Sequence, residues 1–462
     1  MASVMVLQVL HDYSDAEAAE AARCDLRWKV ACGFPLDHGG FDPSTLVYWR
    51  RRIAKSGRPH RVSDAVSKVA GQTGVLNGRR RRAVDSTVLA DAVATQDTIT
   101  QLVAAIRRVG RVVPGAAGQI AAVCTGHDYP APGKPQVDWD DPQAKDALVS
   151  ALVNDANALV EALAGGDLDE QASAALGLLA LVAGQDVEPA EGSDGTDGRW
   201  RIARKVTEDR VIPAMDPEAR HTRKSPGNRR DGYRAHLAAC PETGIITGAQ
   251  LTKAAGQDNS DAAVGTQFLA GQAASGGPPC EWYGDTAYGS GDLRAAIKQA
   301  GHSAVIKPGP LKPPVEGGFT LDDFTVDESA GTATCPAGLT RPISAHRNVI
   351  FGAACRACPL RSRCTTAKTG RTLTLHPHHD LLHAARASWA VQHGPREDYK
   401  KYRPNIERVI SQAASRGGRR LKLRYLGTVK NNAWLNNRTA ALNLRNLISR
   451  GLTHDNGAWI LA

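Results

Sequence analysis

Glu281-Trp282-Tyr283-Gly284-Asp285-Thr286-Ala287-Tyr288-Gly289-Ser290 is the stretch on which the fold turns. Its aromatic opening predicts a short strand that ends on a carboxylate, Asp285, and runs straight into a helix over residues 291–300. Residues 302–306 (His-Ser-Ala-Val-Ile) read as a second strand, closed by a Pro-rich loop over 307–314. Upstream, residues 233–239 and 245–251 are two apolar runs flanking Pro241-Glu242-Thr243-Gly244, which is a hairpin signal. Residues 262–274 read as a helix between hairpin and strand. Strand pair, helix, strand with carboxylate, helix, strand is the order of a mixed α/β sheet. Acids at strand ends are where such sheets hold ligands.

Working further back, Arg79-Arg80-Arg81-Arg82-Ala83-Val84-Asp85-Ser86-Thr87-Val88-Leu89 is a β-branched run carrying an acid. It reads in two ways. The run can be a strand presenting Asp85, or Asp85-Ser86-Thr87 can cap the helix that follows. Taken alone, the cap is the better reading. Residues 90–183 are Ala/Leu/Val-rich and helical, broken at Tyr129-Pro130-Ala131-Pro132-Gly133, and residues 184–198 have linker composition. Residues 4–53 read as helices, with Ser14-Asp15-Ala16-Glu17 as a start signal and Arg50-Arg51-Arg52 closing the last one.

Downstream, Cys335, Cys355, Cys358 and Cys364 have the number and spacing of a closed tetrahedral zinc site. His346 can stand in for one of them; unligated thiols and an iron–sulfur cluster are the competing readings. The run Lys400-Lys401-Tyr402-Arg403-Pro404-Asn405-Ile406-Glu407-Arg408-Val409-Ile410 follows. Between Lys400 and Arg450 the only acid is Glu407, among many cations. Ile406, Val409 and Ile410 give this run a helical apolar stripe. A helix offering one acid among cations suits phosphate contact plus a divalent metal, while a solvated basic face is the bland alternative.

Composition sets the outer limits. The 462 residues carry a net charge of +10, which favours an anionic partner such as nucleic acid. Aromatics are only 5%, which argues against a base-stacking platform for single strands. Nine cysteines clustered late, with neither an export signal nor a spanning run, predict a cytoplasmic protein with reduced thiols and no membrane partner.

The three acids in their order, Asp85 in Val-Asp-Ser-Thr, Asp285 in Gly-Asp-Thr-Ala-Tyr and Glu407 in Arg-Pro-Asn-Ile-Glu-Arg, resemble the DDE triad of bacterial insertion-sequence transposases. The closest resemblance is to the insertion sequence 1182 family, related to the insertion sequence 4 and 5 groups. Residues 7–15 and 26–29 look like that family's amino-terminal domain, residues 232–236 and 244–246 look like its central hairpin, and the Cys cluster recurs there. Two positions depart from its pattern: Lys400 stands where relatives carry Tyr, and Ala414 where they carry Lys. The family has more chain before residue 7, so the resemblance implies an amino-terminally truncated protein.

From this resemblance follows a ribonuclease-H-like mixed α/β sheet with a helical insertion, preceded by a small helical domain. The implied division is 1–78 for that domain and 79–450 for the catalytic domain. Within the latter lie an insertion at about 90–185, a linker at 186–199 and a Cys-rich insertion at 330–370; residues 451–462 form a tail. Asp85, Asp285 and Glu407 are the implied ligands of two Mg²⁺ ions, with Mn²⁺ as a substitute. Lys401, Arg403, Arg408 and Arg416 are the implied DNA contacts. The implied partner is double-stranded DNA, both terminal inverted repeats and target, held by a homodimer. Cutting at the element's ends and joining the 3′-OH to target is the implied activity. A catalytically inactive DNA-binding remnant and a nuclease that cuts without joining are the alternatives.

Overall fold

The computed structural model describes residues 1–93, 96–204, 207, 210–225, 228–274, 276–391 and 394–462. The chain opens with five helices, α1 (Ala2–His11), α2 (Asp15–Cys24), α3 (Leu26–Cys32), α4 (Ser44–Ala54) and α5 (Arg61–Gln72). At the start of α2, the Ser14 hydroxyl accepts from the Glu17 amide while the Glu17 carboxylate accepts from the Ser14 amide. That reciprocal pair is why the chain turns there. Val4, Met5, Ala18, Ala22, Trp28 and Leu46 form a small core among α1–α4.

β1 (Arg81–Ala90) follows and is the central strand. It resolves the two readings of Asp85 in favour of the strand. The next helix begins only at Thr98, and its cap is Asp97, whose carboxylate accepts from the Thr100 amide. Asp85 is left mid-strand, opposite Leu237 of the neighbouring strand.

Four helices then leave the sheet: α6 (Thr98–Val112), α7 (Ala116–Val123), α8 (Pro142–Leu163) and α9 (Glu170–Gln185). They close around their own core, including Leu102, Ile106, Leu152, Leu159 and Leu179, each fully buried. Burying each such side chain is worth about 1.5–3 kcal/mol, so this bundle is held from within. A short ribbon, β2 (Val187–Pro189) with β3 (Trp200–Ile202), returns the chain.

β4 (Arg220–Ser225), β5 (Asn228–Ala239) and β6 (Ile246–Lys253) follow as antiparallel neighbours. The predicted hairpin is the β5–β6 pair, turning at residues 240–245. Gly232 has φ 147°, and a Cβ there would lie 2.1 Å from the Leu89 carbonyl oxygen, so only glycine lets β5 approach the end of β1. α10 (Asp261–Ala274) leads to β7 (Glu281–Gly284), then α11 (Gly291–Gln299) and β8 (Ser303–Ile306). The main path across the sheet is β4-β5-β1-β7-β8, with β6 also paired to β5. β5 runs antiparallel to β1, whereas β7 runs parallel to β1 and β8 parallel to β7.

A Cys-bearing module of short strands, β9 (Thr325–Asp327), β10 (Thr332–Thr334), β11 (Thr340–Pro342), β12 (Asn348–Ile350) and β13 (Thr372–Thr374), is interposed with the one-turn helix α12 (Arg361–Cys364). Then come α13 (His379–Ala390) and the long α14 (Pro395–Ala414), which lies on β1, β5, β7 and β8. Ile406, Val409 and Ala413 form its buried stripe against Ala83, Leu237 and Tyr283. A ribbon of β14 (Ser415–Arg416) and β15 (Arg419–Arg420) follows, then α15 (Thr428–Ile448) and a terminal pair, β16 (Leu452–Asp455) and β17 (Ala458–Leu461). Among the described residues no helix is long and apolar enough to cross a membrane.

Candidate active site and nucleic-acid interface

The topology gathers three carboxylates that lie hundreds of residues apart. Asp85 sits in β1, Asp285 sits one residue beyond parallel β7, and Glu407 projects from α14 across their tips. Local bonds fix the two aspartates. Asp85 Oδ1 accepts from the Ser86 amide at 2.8 Å, and Asp285 Oδ1 accepts from the Ala287 amide at 2.9 Å as the cap of a one-turn 3₁₀ helix. Their Oδ2 atoms face a common neighbour.

That neighbour is Arg403. Its Nη2 lies 3.1 Å from Asp85 Oδ2 and 4.0 Å from Asp285 Oδ2, and its Nη1 lies 3.5 Å from Glu407 Oε1. The Arg403 side chain is only 7% exposed, Asp85 is 14%, and Glu407 is 67%. A buried guanidinium thus stands between all three acids. Burial pushes the Asp85 carboxyl above its ordinary range; Arg403 pulls it down, and Asp285 adds a smaller upward push. Tyr288 is fully buried nearby, and burial together with Asp261, Asp85 and Asp285 raises its phenol well above the usual value.

This placement differs from the expectation for Arg403 as a phosphate contact. The residue stands at i−4 to Glu407 and on the buried face that continues through Ile406 and Val409, so its charge is used inside the protein. Arg438 is buried as well. Its guanidinium donates to the carbonyls of Gln412, Ala413 and Ser415 at the end of α14, and to Val9 of α1. Burial lowers its pKa to about 10. It closes a helix end, where cations are favoured, rather than facing solvent. Nothing in the charge count separates these two arginines from their exposed neighbours; their phase on the apolar stripes does.

Lys401, Arg408 and Arg416 are exposed, and none pairs with a carboxylate among the described residues. Arg416 belongs to the β14–β15 ribbon, whose turn is Gly417-Gly418 with φ 54° and 76°. Two successive positive φ values give the tight turn that suits a two-residue hairpin. The ribbon carries Arg416, Arg419 and Arg420 into solvent. Arg420 donates to Thr87 Oγ1 and to the Val88 carbonyl of β1, the strand that bears Asp85. Arg416 reaches back to His11 Nδ1 at 3.1 Å and lies over the Tyr13 ring. The ribbon therefore bridges the amino-terminal helices and the strand of the candidate site. Arg419 and Arg420 were not among the expected DNA contacts, although the Arg-Gly-Gly-Arg-Arg run was a visible turn signal.

The donor chemistry of the site fits hard divalent cations: three carboxylates, all oxygen, around a point that already carries positive charge. Among the described residues no three His, Cys, Asp or Glu side chains stand close enough together to hold a metal ion, and Arg403 lies between the three acids. In the Cys module, Cys335, Cys355, Cys358 and Cys364 line a single cavity of about 280 Å³, while His346 is exposed and does not line it.

Residues 334–448 match the family described as Transposase DDE domain, and residues 1–52 match the one described as Transposase domain (DUF772). The chain thus holds one segment similar to a transposase DDE domain and one similar to a second transposase domain. The matched DDE segment contains Arg403, Glu407 and the Cys module, whereas Asp85 and Asp285 lie outside it. No curated protein and no solved structure matches the chain.

Proposed function

We propose that this transposase belongs to the insertion sequence 1182 family, and that it cuts at the element's ends and joins the freed 3′-OH to target DNA. The observation that carries this reading is the meeting of Asp85, Asp285 and Glu407 around one buried cation. The strand order supports a ribonuclease-H-like core: an antiparallel β6-β5-β1 set continues into parallel β7 and β8. In that arrangement the central strand and its parallel neighbour bring their acids to one edge.

Asp85, Asp285 and Glu407 would hold a pair of divalent ions, Mg²⁺ or Mn²⁺. When bound, such a pair supplies activation of an attacking oxygen and stabilisation of the leaving 3′-oxygen. The protein's own part is positional. Asp85 is fixed by its strand and its amide bond, and Asp285 by its capping bond. Glu407, exposed on α14, is the acid free to adjust as DNA arrives. Arg403 keeps the carboxylates gathered against their mutual repulsion. Lys401, Arg408, Arg416 and the ribbon arginines neutralise phosphates and set the duplex without reading sequence. The substrate is double-stranded DNA in the cytoplasm, inverted repeats first and target second, held by a DNA-bound homodimer.

Glu407→Gln tests the reading. With labelled end DNA and Mn²⁺ or Mg²⁺, strand transfer should fall by about 10²-fold or more. Metal-free binding to the same DNA should stay equal or tighten, because a carboxylate repels phosphate. A Gln variant that retains wild-type cleavage and joining would refute the assignment, and nicking without joining by the wild type would favour a nuclease.

A further inference from the structure

The Cys module carries a site that the transposition chemistry does not use. We propose that Cys335, Cys355, Cys358 and Cys364 bind one zinc ion as four thiolates, and that this ion staples the module. The four come from separate pieces of backbone. Cys335 ends its strand region in a tight turn, with the Gly338 amide donating to the Cys335 carbonyl at 2.8 Å. Cys355 and Cys358 sit on successive turns, with the Cys358 amide donating to the Cys355 carbonyl at 3.4 Å, and Cys364 ends α12. All four nonetheless face one cavity, walled on its other sides by apolar groups such as Phe324 and Phe351. All four are free thiols, so no disulfide holds these pieces together.

Two further features fit an anionic thiolate cluster there. Arg371 lines the same cavity, its amide donates to Cys355 Sγ at 3.5 Å, and its Nε is buried without a partner. Zinc with four thiolates is a net dianion, which a neighbouring guanidinium and amide stabilise. The module also needs a staple. Its strands are three residues each, and its fully buried core is seven residues, of which Cys364 is one. Cores of that size rarely hold without a metal or disulfides. Burial, with the other three cysteines adding, raises the Cys364 thiol, whereas Arg371 lowers it. A bound cation reverses that penalty at Cys364. Among the described residues the side chains are not yet at metal-ligand spacing. Closing them to about 2.3 Å from one ion is therefore a change that binding drives.

The full-length chain, expressed with zinc supplied and purified without chelator, should contain about one zinc per chain. Its four module thiols should react with a disulfide reagent many-fold more slowly than Cys24, which is exposed. Replacement by Co²⁺ should give the intense charge-transfer bands of tetrahedral thiolate ligation. Cys358→Ser should lose most of the metal, while Cys24→Ser keeps it. Should Cys358→Ser fail to fold, chelation of the wild type decides instead: zinc release should expose four thiols and lower the melting temperature. Zinc-free protein with four freely reactive module thiols overturns the proposal. So does a brown, iron-containing protein, which would mean a cluster in place of zinc.

Discussion

Removing Arg403 isolates the electrostatics of the candidate site. Arg403→Gln keeps much of the side chain's length but leaves Asp85, 14% exposed, without its counter-charge at 3.1 Å. Breaking a buried pair by deleting one partner costs about 3–5 kcal/mol, chiefly because the other charge stays buried. The remaining contacts add little. Asp285 is 44% exposed and 4.0 Å away, and Glu407 is 67% exposed, so each is worth at most a few tenths of a kcal/mol after solvent screening. A loss of about 3 kcal/mol at pH 7.5 is expected, read as a fall of about 6 °C or more in the melting temperature of the protein. The sign with pH follows from Asp85. Its carboxyl is already raised by burial, and loss of Arg403 raises it further. A raised acid favours the folded state below the ordinary carboxylate range and loses that contribution as pH rises, so the deficit should shrink at about pH 4.5. Mn²⁺ supplies the missing positive charge. It should therefore raise the melting temperature of the variant more than that of the wild type, where the guanidinium competes for the same oxygens. A variant that melts within about 1 °C of wild type at pH 7.5, or one with an equal Mn²⁺ response, would refute this account.

Two other perturbations probe the surroundings of β1. Asp91 is 4% exposed, and burial, with Asp216 and Asp231 adding and Lys422 opposing, pushes its carboxyl up to about 6. Its contribution to stability is present below about pH 4 and is lost as pH rises through 6, so Asp91→Asn should gain about 3 kcal/mol over wild type at pH 7.5 in urea melts and almost nothing at pH 4. On the β14–β15 ribbon, Arg419→Ala should weaken DNA binding and reduce the log–log salt slope by about one for each phosphate lost, with the melting temperature unchanged; an unaltered slope would remove Arg419 from the interface.

Much of the architecture was legible because it rests on local signals. The hairpin was marked by Pro241 to Gly244, the carboxylate strand by the aromatic run into Asp285, and the α2 start by Ser14 and Glu17. Asp85 was harder. Asp-Ser-Thr ahead of a helical segment has the composition of a cap, and only the burial of β1 between β5 and β7 makes it a strand. The arginines were hardest. Arg403 and Arg438 sit in a basic run, and composition alone gives every member of that run to solvent. Their helical phase gives a different answer: Arg403 continues the Ile406–Val409–Ala413 face, and Arg438 continues the Asn431–Leu435–Leu442 face of α15. A charge on a buried stripe has to find a partner within the protein.

That constraint bears on the triad itself. The DDE-domain match supplies one of the three acids, and the other two are tied to it by geometry alone. The tie is specific. A buried guanidinium has to be neutralised, and the central strand and its parallel neighbour bring Asp85 and Asp285 to Arg403 while α14 supplies Glu407. Had Asp85 been an ordinary surface acid, Arg403 would lose its partner at 3.1 Å while only 7% exposed, at a cost of several kcal/mol. The same pairing that stabilises the site also keeps the carboxylates close.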